Sequence, residues 1–357
     1  MTVVYFIIVL GVLIFAHELG HFLVAKAIGV RVLKFSLGFG PRLIGKKVGD
    51  TDYMISAFPL GGYVKLLGDN PEDEIPKEER AISFLSQKNW KKISIAAAGP
   101  IFNILLAVMA LWIVFMRGVP IPDPVVGNVI DGYPAKAAGI LVGDTIVAIN
   151  NKPIDNWEDM AKEIEASDGE DLKVMVRRNG EELDFVIKPI IGETTDRFLS
   201  PKKTYMIGIG QSDSYHIVQY SPLPAFIEGA KATGIIVKLT YQAIGKMFTG
   251  AISIDNIGGP ILIAKISREA AEEGIATFLG FIGLISINLG ILNLLPVPVL
   301  DGGHILFFTI EAIIRKPISI KIKEVALQIG LTLLVILMAL AFYFDILRLI
   351  FTPDQLP

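Results

Sequence analysis

The stretch IATFLGFIGLISINLGILNLLPVPVL occupies residues 275–300, holds 26 residues without a charge and ends at Asp301. A helix needs about 20 apolar residues to cross a hydrocarbon core of about 30 Å, so this run predicts a membrane span. Residues 93–116 form a second charge-free run of 24, and 325–344 a third of 20. Residues 2–16 also lack charge, and the apolar character resumes after His21 to about residue 28. That first segment reaches spanning length only with His17, Glu18 and His21 inside the membrane. It lacks the basic start and small-residue cleavage pattern of a signal peptide, so it is expected to be a retained span. The whole chain of 357 residues agrees: 52% is hydrophobic and 19% charged, against about a quarter charged in soluble domains. Mean hydropathy is +0.56. These values exclude a disordered chain, a basic nucleic-acid binder and a single ordinary soluble domain. With no cysteine, disulfides, thiolate metal sites and cysteine nucleophiles are also excluded.

Charges between the spans set an expected orientation. Arg31, Lys34, Arg42, Lys46 and Lys47 follow the first span, and Lys77, Arg80, Lys88, Lys91 and Lys92 precede the second. Arg315, Lys316, Lys321 and Lys323 lie between the third and fourth. By the positive-inside rule, 29–92 and 303–324 are cytoplasmic, and both termini and 118–273 lie outside.

Residues 118–211 contain ten Lys and Arg but sixteen Asp and Glu. They read as an acidic soluble block with strands at 125–130, 145–149, 172–177 and 183–187. Asn179-Gly180 marks a hairpin, and 157–166 a helix capped by Asp155 or Asn156. Residues 223–249 form an amphipathic helix, lying in the membrane interface or packed on the soluble block. Residues 29–90 are Gly-rich, with strand-like pieces at 32–37, 53–58 and 63–67, and 70–80 is a polar, mobile loop.

The sharpest local feature is His17-Glu18-Leu19-Gly20-His21. Histidines at i and i+4 share one helix face, so two imidazoles can meet one ion. The Glu beside the first can reach a water there and take its proton. An ionised group at mid-membrane costs about 2.5–3.5 kcal/mol, which argues against an idle polar cluster. Zinc on two His needs a third ligand and an open position. Asp301 follows Pro296 and Pro298, which break the helix, and broken helices at membrane depth line cavities. Asp301 is therefore the favoured third ligand and His304 its rival, which alternatively donates a hydrogen bond to a ligand or lies at the interface. His216 carries no expected role.

Taken with Gly38-Phe39-Gly40-Pro41, Pro59-Leu60-Gly61-Gly62-Tyr63-Val64-Lys65, Ala98-Gly99-Pro100-Ile101-Phe102-Asn103, Ile257-Gly258-Gly259-Pro260 and the run from Asn293 to Leu-Asp-Gly at 300–302, these residues resemble the site-2 protease family of intramembrane zinc metalloproteases. The resemblance covers nearly the whole chain and is nearest the bacterial branch typified by the regulator of sigma-E protease. It extends to a PDZ-like pattern at 133–146, with room for one such domain where the best-known members carry two.

The resemblance implies a four-span α-helical membrane protein with a membrane-associated β-hairpin region and an inserted α+β PDZ-like domain. The expected divisions are 1–117 (spans at about 3–28 and 93–116, β region 31–67), 118–211 (PDZ-like), 212–273 (amphipathic interfacial connector) and 274–357 (spans at about 275–300 and 325–348). It implies Zn²⁺ held by His17, His21 and Asp301, Glu18 as general base, and Asn293, Gly61 and Gly62 in substrate binding. Gly99, Pro100 and Asn103 fit either close helix packing or a substrate contact. Residues 207–210 fit either a carboxylate-binding loop of a circularly permuted domain or a Gly-rich turn. Expected substrates are single-span membrane proteins, such as a membrane-tethered anti-sigma factor or remnant signal peptides, cut in the inner membrane of a bacterium. The competing readings are a membrane-anchored PDZ scaffold with a closed structural metal site, and a transporter. The absence of an internal inverted repeat counts against the latter.

Overall fold

Helix α1 (Thr2–Ile28) forms over the first apolar run and stops at Gly29, whose φ of 87° is left-handed and needs no Cβ. The computed structural model describes residues 1–70, 72–195, 201–253, 255 and 258–351; Pro71 of the polar loop and Ile257 of the Ile-Gly-Gly-Pro motif lie outside them. Two long antiparallel strands follow, β1 (Val32–Val48) and β2 (Thr51–Leu66). The three short pieces expected from the sequence are parts of this pair. Each strand bends, β1 at Gly38 and Gly40, both with positive φ. Residues 32–37 pair with 62–66 on one edge and with 52–55 on the other, while 42–48 pair back onto 51–56. The result is a small curled sheet with 62–66 at one margin. Its inner part packs on α1 through Phe22, Ala25, Val32, Phe35 and Leu66. Its outer part leaves Leu43, Ile44 and Phe58 exposed.

Helix α2 (Asn89–Arg117) begins four residues before the predicted span. The chain then builds a separate unit, Arg117–Tyr220. Its strands are β3 (Val119–Pro122), β4 (Val126–Val129), β5 (Thr145–Ile149), β6 (Lys152–Pro153), β7 (Leu172–Arg178), β8 (Glu181–Ile187), β9 (Ile190–Thr195), β10 (Pro201–Met206), β11 (Ile209–Gln211) and β12 (Tyr215–Val218), with helices α3 (Pro134–Ala138) and α4 (Trp157–Glu165). A four-stranded antiparallel sheet, β6-β5-β7-β8, covers a core of Ile146, Met160, Leu172, Val174 and Val176. Asn156 caps α4 by accepting from Asp159 N–H at 2.9 Å. Asn179 and Gly180, at φ 52° and 90°, make the β7–β8 turn. The unit extends past the predicted boundary at residue 211, because β12 pairs with β3 and so ties 215–218 to the unit's start. Gly208 combines a left-handed φ of 84° with no room for a Cβ against Tyr133 Cβ, so backbone conformation and packing account for this glycine.

The remaining helices belong with α1, β1, β2 and α2 in the other unit. Helix α5 (Pro222–Phe248) carries the amphipathic pattern. It packs against the charge-free helices: Thr240 donates to Asn288 at 3.0 Å, Trp112 Nε1–H to the Pro222 carbonyl at 2.8 Å, and Gly229 sits against the α2 backbone at Trp112. Helix α6 (Pro260–Glu273) starts at Gly259. Helix α7 (Ile275–Leu294) is shorter than the predicted span 275–300. Leu295, which precedes Pro296, is forced extended (ψ 145°), and two prolines without N–H groups prevent the helix from resuming. The segment 303–324, read from sequence as cytoplasmic, instead begins inside a helix, α8 (Asp301–Ile314). Its first turn lies on the Leu294–Val297 carbonyls, so Gly302 and Gly303 cannot carry a Cβ. Helix α9 (Ile320–Ile350) completes the set. Its buried Asp345 accepts from Gly259, Ile261 and Leu262 N–H at 2.9–3.1 Å, capping α6 at the Gly-Gly-Pro motif. Helices α1, α2, α7 and α9 are long and apolar enough to cross a membrane.

Candidate metal centre

Helix α1 crosses α2 where Gly20 meets the Ala98 carbonyl with no room for a Cβ. This close approach sets His17 and His21 against a stripe of α2 spaced by four: Ile95, Gly99 and Asn103. A Cβ on Gly99 would clash with His21 Nε2 and lie 2.7–2.8 Å from the His17 ring, so glycine leaves the space that both imidazoles fill. From the other side comes Asp301, set at the first turn of α8 by the proline break.

The three side chains converge. The two Nε2 atoms are 3.2 Å apart. Asp301 lies 3.1 Å from His17 Nε2 and 3.5 Å from His21 Nε2. All three are partly buried. With both Nε2 lone pairs turned inward, two imidazole nitrogens and a carboxylate oxygen form an all-acceptor group that one cation satisfies. Ligand atoms on tetrahedral Zn²⁺ at about 2.0–2.1 Å stand roughly 3.3 Å apart, close to the 3.2 Å between the imidazole nitrogens, and the Asp301 carboxylate presents one oxygen to each ring at 3.1 and 3.5 Å. His21 Nδ1 lies 2.7 Å from the Ile95 carbonyl, which can only accept, so the ring proton sits on Nδ1 and Nε2 presents its lone pair. For His17 to do the same, its Nδ1–H needs an acceptor. The Asn103 amide is 3.2 Å away, and its carbonyl oxygen is otherwise buried without a partner; the amide orientation that pairs these two satisfies both. The donor set and its surroundings therefore fit zinc.

The remaining expected residues are divided. Glu18 is half-buried, within electrostatic reach of His17, His21 and Asp301. Gly62 lies against it: a Cβ there would be 3.0 Å from Glu18 Cγ. Asn293 approaches His17 Nδ1 at 3.5 Å. Gly61 instead packs under the Phe39 ring, away from the three ligand atoms. His304 stacks on Phe308 at 6.3 Å, and the ligand group among the described residues is His17, His21 and Asp301. His216 pairs with Asp123 at 2.6 Å in the separate unit. Sequence reasoning missed the Ile95 carbonyl and left Asn103 without a partner. The signal for both was the four-residue spacing of 95, 99 and 103, which matches that of the two histidines.

Residues 5–337 match the model of Peptidase family M50. A protein of Agrobacterium fabrum named as a zinc metalloprotease is 40% identical over 365 residues, covering 98% of this chain and 96% of the relative. A Clostridium acetobutylicum protein of the same description is 36% identical over 342 residues, covering 94% and 95%. The regulator of sigma-E protease of Escherichia coli is 32% identical over 442 residues, covering 96% and 98%. The chain belongs to peptidase family M50, the site-2 family of zinc metalloproteases.

Proposed function

We propose that this protein hydrolyses peptide bonds within or next to the transmembrane segments of single-span membrane proteins, with His17, His21 and Asp301 as zinc ligands and Glu18 as general base. The observation that carries the reading is two imidazole nitrogens 3.2 Å apart on a helix apolar enough to span a bilayer, each 3.1–3.5 Å from one oxygen of the Asp301 carboxylate. At a rise of 1.5 Å per residue, His17 lies about 16 Å from the C-terminal end of α1, well inside a hydrocarbon core.

Zinc, when bound, supplies Lewis acidity that polarises a carbonyl and acidifies water toward a pKa of about 7. The chain's own residues do the rest. Glu18 receives the proton of the attacking water and delivers it to the departing amine. His21 is held by Ile95 and His17 by Asn103, which keeps both Nε2 atoms aimed at the ion. A helical substrate must unwind to expose its carbonyl, and its freed backbone groups need partners. The 62–66 margin of the curled sheet, beside Glu18 at Gly62, offers a strand edge for this, and the Asn293 amide a side-chain partner. The exposed Leu43, Ile44 and Phe58 suit a hairpin resting in the bilayer.

The basic residues flanking the spans support a cytoplasmic β1–β2 hairpin and a 117–220 unit on the outer side. That unit is read as one PDZ-like domain that recruits or filters substrates. Loss of activity on deleting 122–210 identifies recruitment, and cleavage of untrimmed substrates identifies filtering. The alignment with the Escherichia coli relative is longer than this chain, which accommodates a further block in that protein. By analogy with that relative's name, a membrane-tethered anti-sigma factor is one candidate substrate. The test is reconstitution with single-span substrates, with the cut mapped by mass spectrometry. The reading requires a cut within or adjoining the apolar segment; cuts confined to distant soluble loops defeat it.

A further inference from the structure

A second concave site lies at one end of the helices, apart from the metal centre. It has a volume of about 450 Å³ and is lined by Lys88, Asn89, Lys92, Glu311, Arg315 and Lys316 among others. Lys92 and Glu311 form its buried floor, each 6% exposed. Glu311 accepts from Lys323 at 2.7 Å and from the Ile318 N–H at 3.1 Å, and lies 3.6 Å from Lys92. This triad holds two cations against one carboxylate, so one positive charge is left over. Lys92 also sits 4.7 Å over the Phe308 ring, a second arrangement that stabilises its charged form. At the rim, Lys88, Arg315 and Lys316 add three cations, none in an ion pair among the described residues. The site is therefore strongly positive.

Arg315 has a left-handed φ of 54° at the end of α8, a conformation glycine adopts without strain and a charged side chain adopts at a backbone cost. The surroundings of the rim point to the source of an anion. The rim also borders apolar surface: Trp90 is 57% exposed, Ile313 74% and Ile314 51%. A soluble anion gains nothing from these side chains, whereas lipid acyl chains cover them, and Trp is favoured at the headgroup level.

We propose that this cavity binds the phosphate of an anionic phospholipid headgroup, with Arg315, Lys316 and Lys88 reaching the phosphate oxygens above the Lys92–Glu311–Lys323 floor. Basic pockets between membrane helices suit such headgroups, and the volume falls within the range of about 300–1,000 Å³ typical of small-ligand sites. The charge surplus selects anionic over zwitterionic lipid. The proposal concerns a site separate from the proteolytic one and stands whether or not that reading holds.

The test uses the full-length protein in nanodiscs of phosphatidylcholine containing graded phosphatidylglycerol, with bound lipid counted by native mass spectrometry. Retention of phosphatidylglycerol over phosphatidylcholine is expected. The double variant Arg315→Gly/Lys316→Gln should lose at least tenfold in that selectivity. Glycine is at ease at this φ, and unchanged thermal stability and zinc content verify folding. Lys88→Gln provides a second variant away from the turn. Lys173→Gln/Lys188→Gln removes the same charge from exposed positions of the 117–220 unit and should change nothing. Equal retention of both lipids overturns the proposal, as does an equal loss in this control or unaltered selectivity in both cavity variants. Displacement of the lipid by millimolar inorganic phosphate alone also overturns it, since the site is then one for free phosphate.

Discussion

Replacing Asn103 by Leu tests how the metal centre is oriented. The substitution keeps the side chain's approximate volume between α1, α2 and α7 but removes the amide that faces His17 Nδ1 at 3.2 Å. The Nδ1–H then loses its nearer acceptor and keeps only the Asn293 amide, at 3.5 Å. An unsatisfied buried donor costs about 1–3 kcal/mol. His17 recovers part of that cost by moving its proton to Nε2, which blocks the lone pair that zinc needs. Removing outer-shell partners typically lowers metal affinity about 10–100-fold, or about 1.4–2.7 kcal/mol, so the two estimates agree. The assay is zinc competition against a chelator of known affinity on purified protein, with total zinc measured in parallel. Asn103→Asp keeps an acceptor at the same place and should restore most of the affinity. Ser286→Ala is the structural control: it removes the bond from Ser286 Oγ to the Asn103 backbone carbonyl at 2.7 Å, which weakens helix packing without touching the ligands. Wild-type zinc affinity in Asn103→Leu refutes the reasoning, and equal loss in Ser286→Ala reduces it to packing.

Three other outcomes follow from the geometry. Gly99→Ala places a Cβ where His21 Nε2 and the His17 ring sit, so zinc content should fall to near zero while the helices persist by circular dichroism; full zinc occupancy contradicts the cradle. Asp345→Ala leaves three N–H groups at the start of α6 without their acceptor and should destabilise the unit by about 3 kcal/mol or more, visible as a lower Tm, with Asp345→Asn intermediate. In the 117–220 unit, burial raises the Asp144 pKa, but the Arg178 guanidinium at 2.7 Å and the Leu141 N–H outweigh it, leaving the carboxyl below its ordinary value. A depressed folded value means stability that is full above the unfolded pKa near 3.9 and lost as pH falls through the folded one. Protection of the β7 amides, measured relative to the intrinsic exchange rate at each pH, should therefore fall below about pH 4 in wild type, and this acid-dependent part should be absent in Asp144→Asn.

Much of the architecture was legible in the sequence because each part rests on one dominant physical term. Lipid excludes charge, so charge-free runs located α1, α2, α7 and α9. Helical periodicity placed His17 and His21 on one face. Alternation and turn chemistry located β5, β7 and β8. The misses arose where two terms compete. The apolar run continues to residue 300, so hydrophobicity hid the end of α7 at Leu294, which proline stereochemistry decides. Glycines at 38, 40, 61 and 62 read as punctuation between short strands, yet they let two long strands bend and pair on both edges. The beginning of α8 carries Asp301-Gly302-Gly303, poor helix formers that are there because backbone carbonyls press on them. Asn103 was visible only as a polar residue in a span, because its partner lies 86 positions away.

The central claim is that Glu18 moves the proton at a zinc site within the membrane. The most direct measurement is cleavage of a co-reconstituted single-span substrate by wild type and by Glu18→Gln in liposomes, with zinc quantified in both. The account predicts that Glu18→Gln binds a full equivalent of zinc and cuts at least about 100-fold more slowly. Cleavage at the wild-type rate with zinc retained would contradict it.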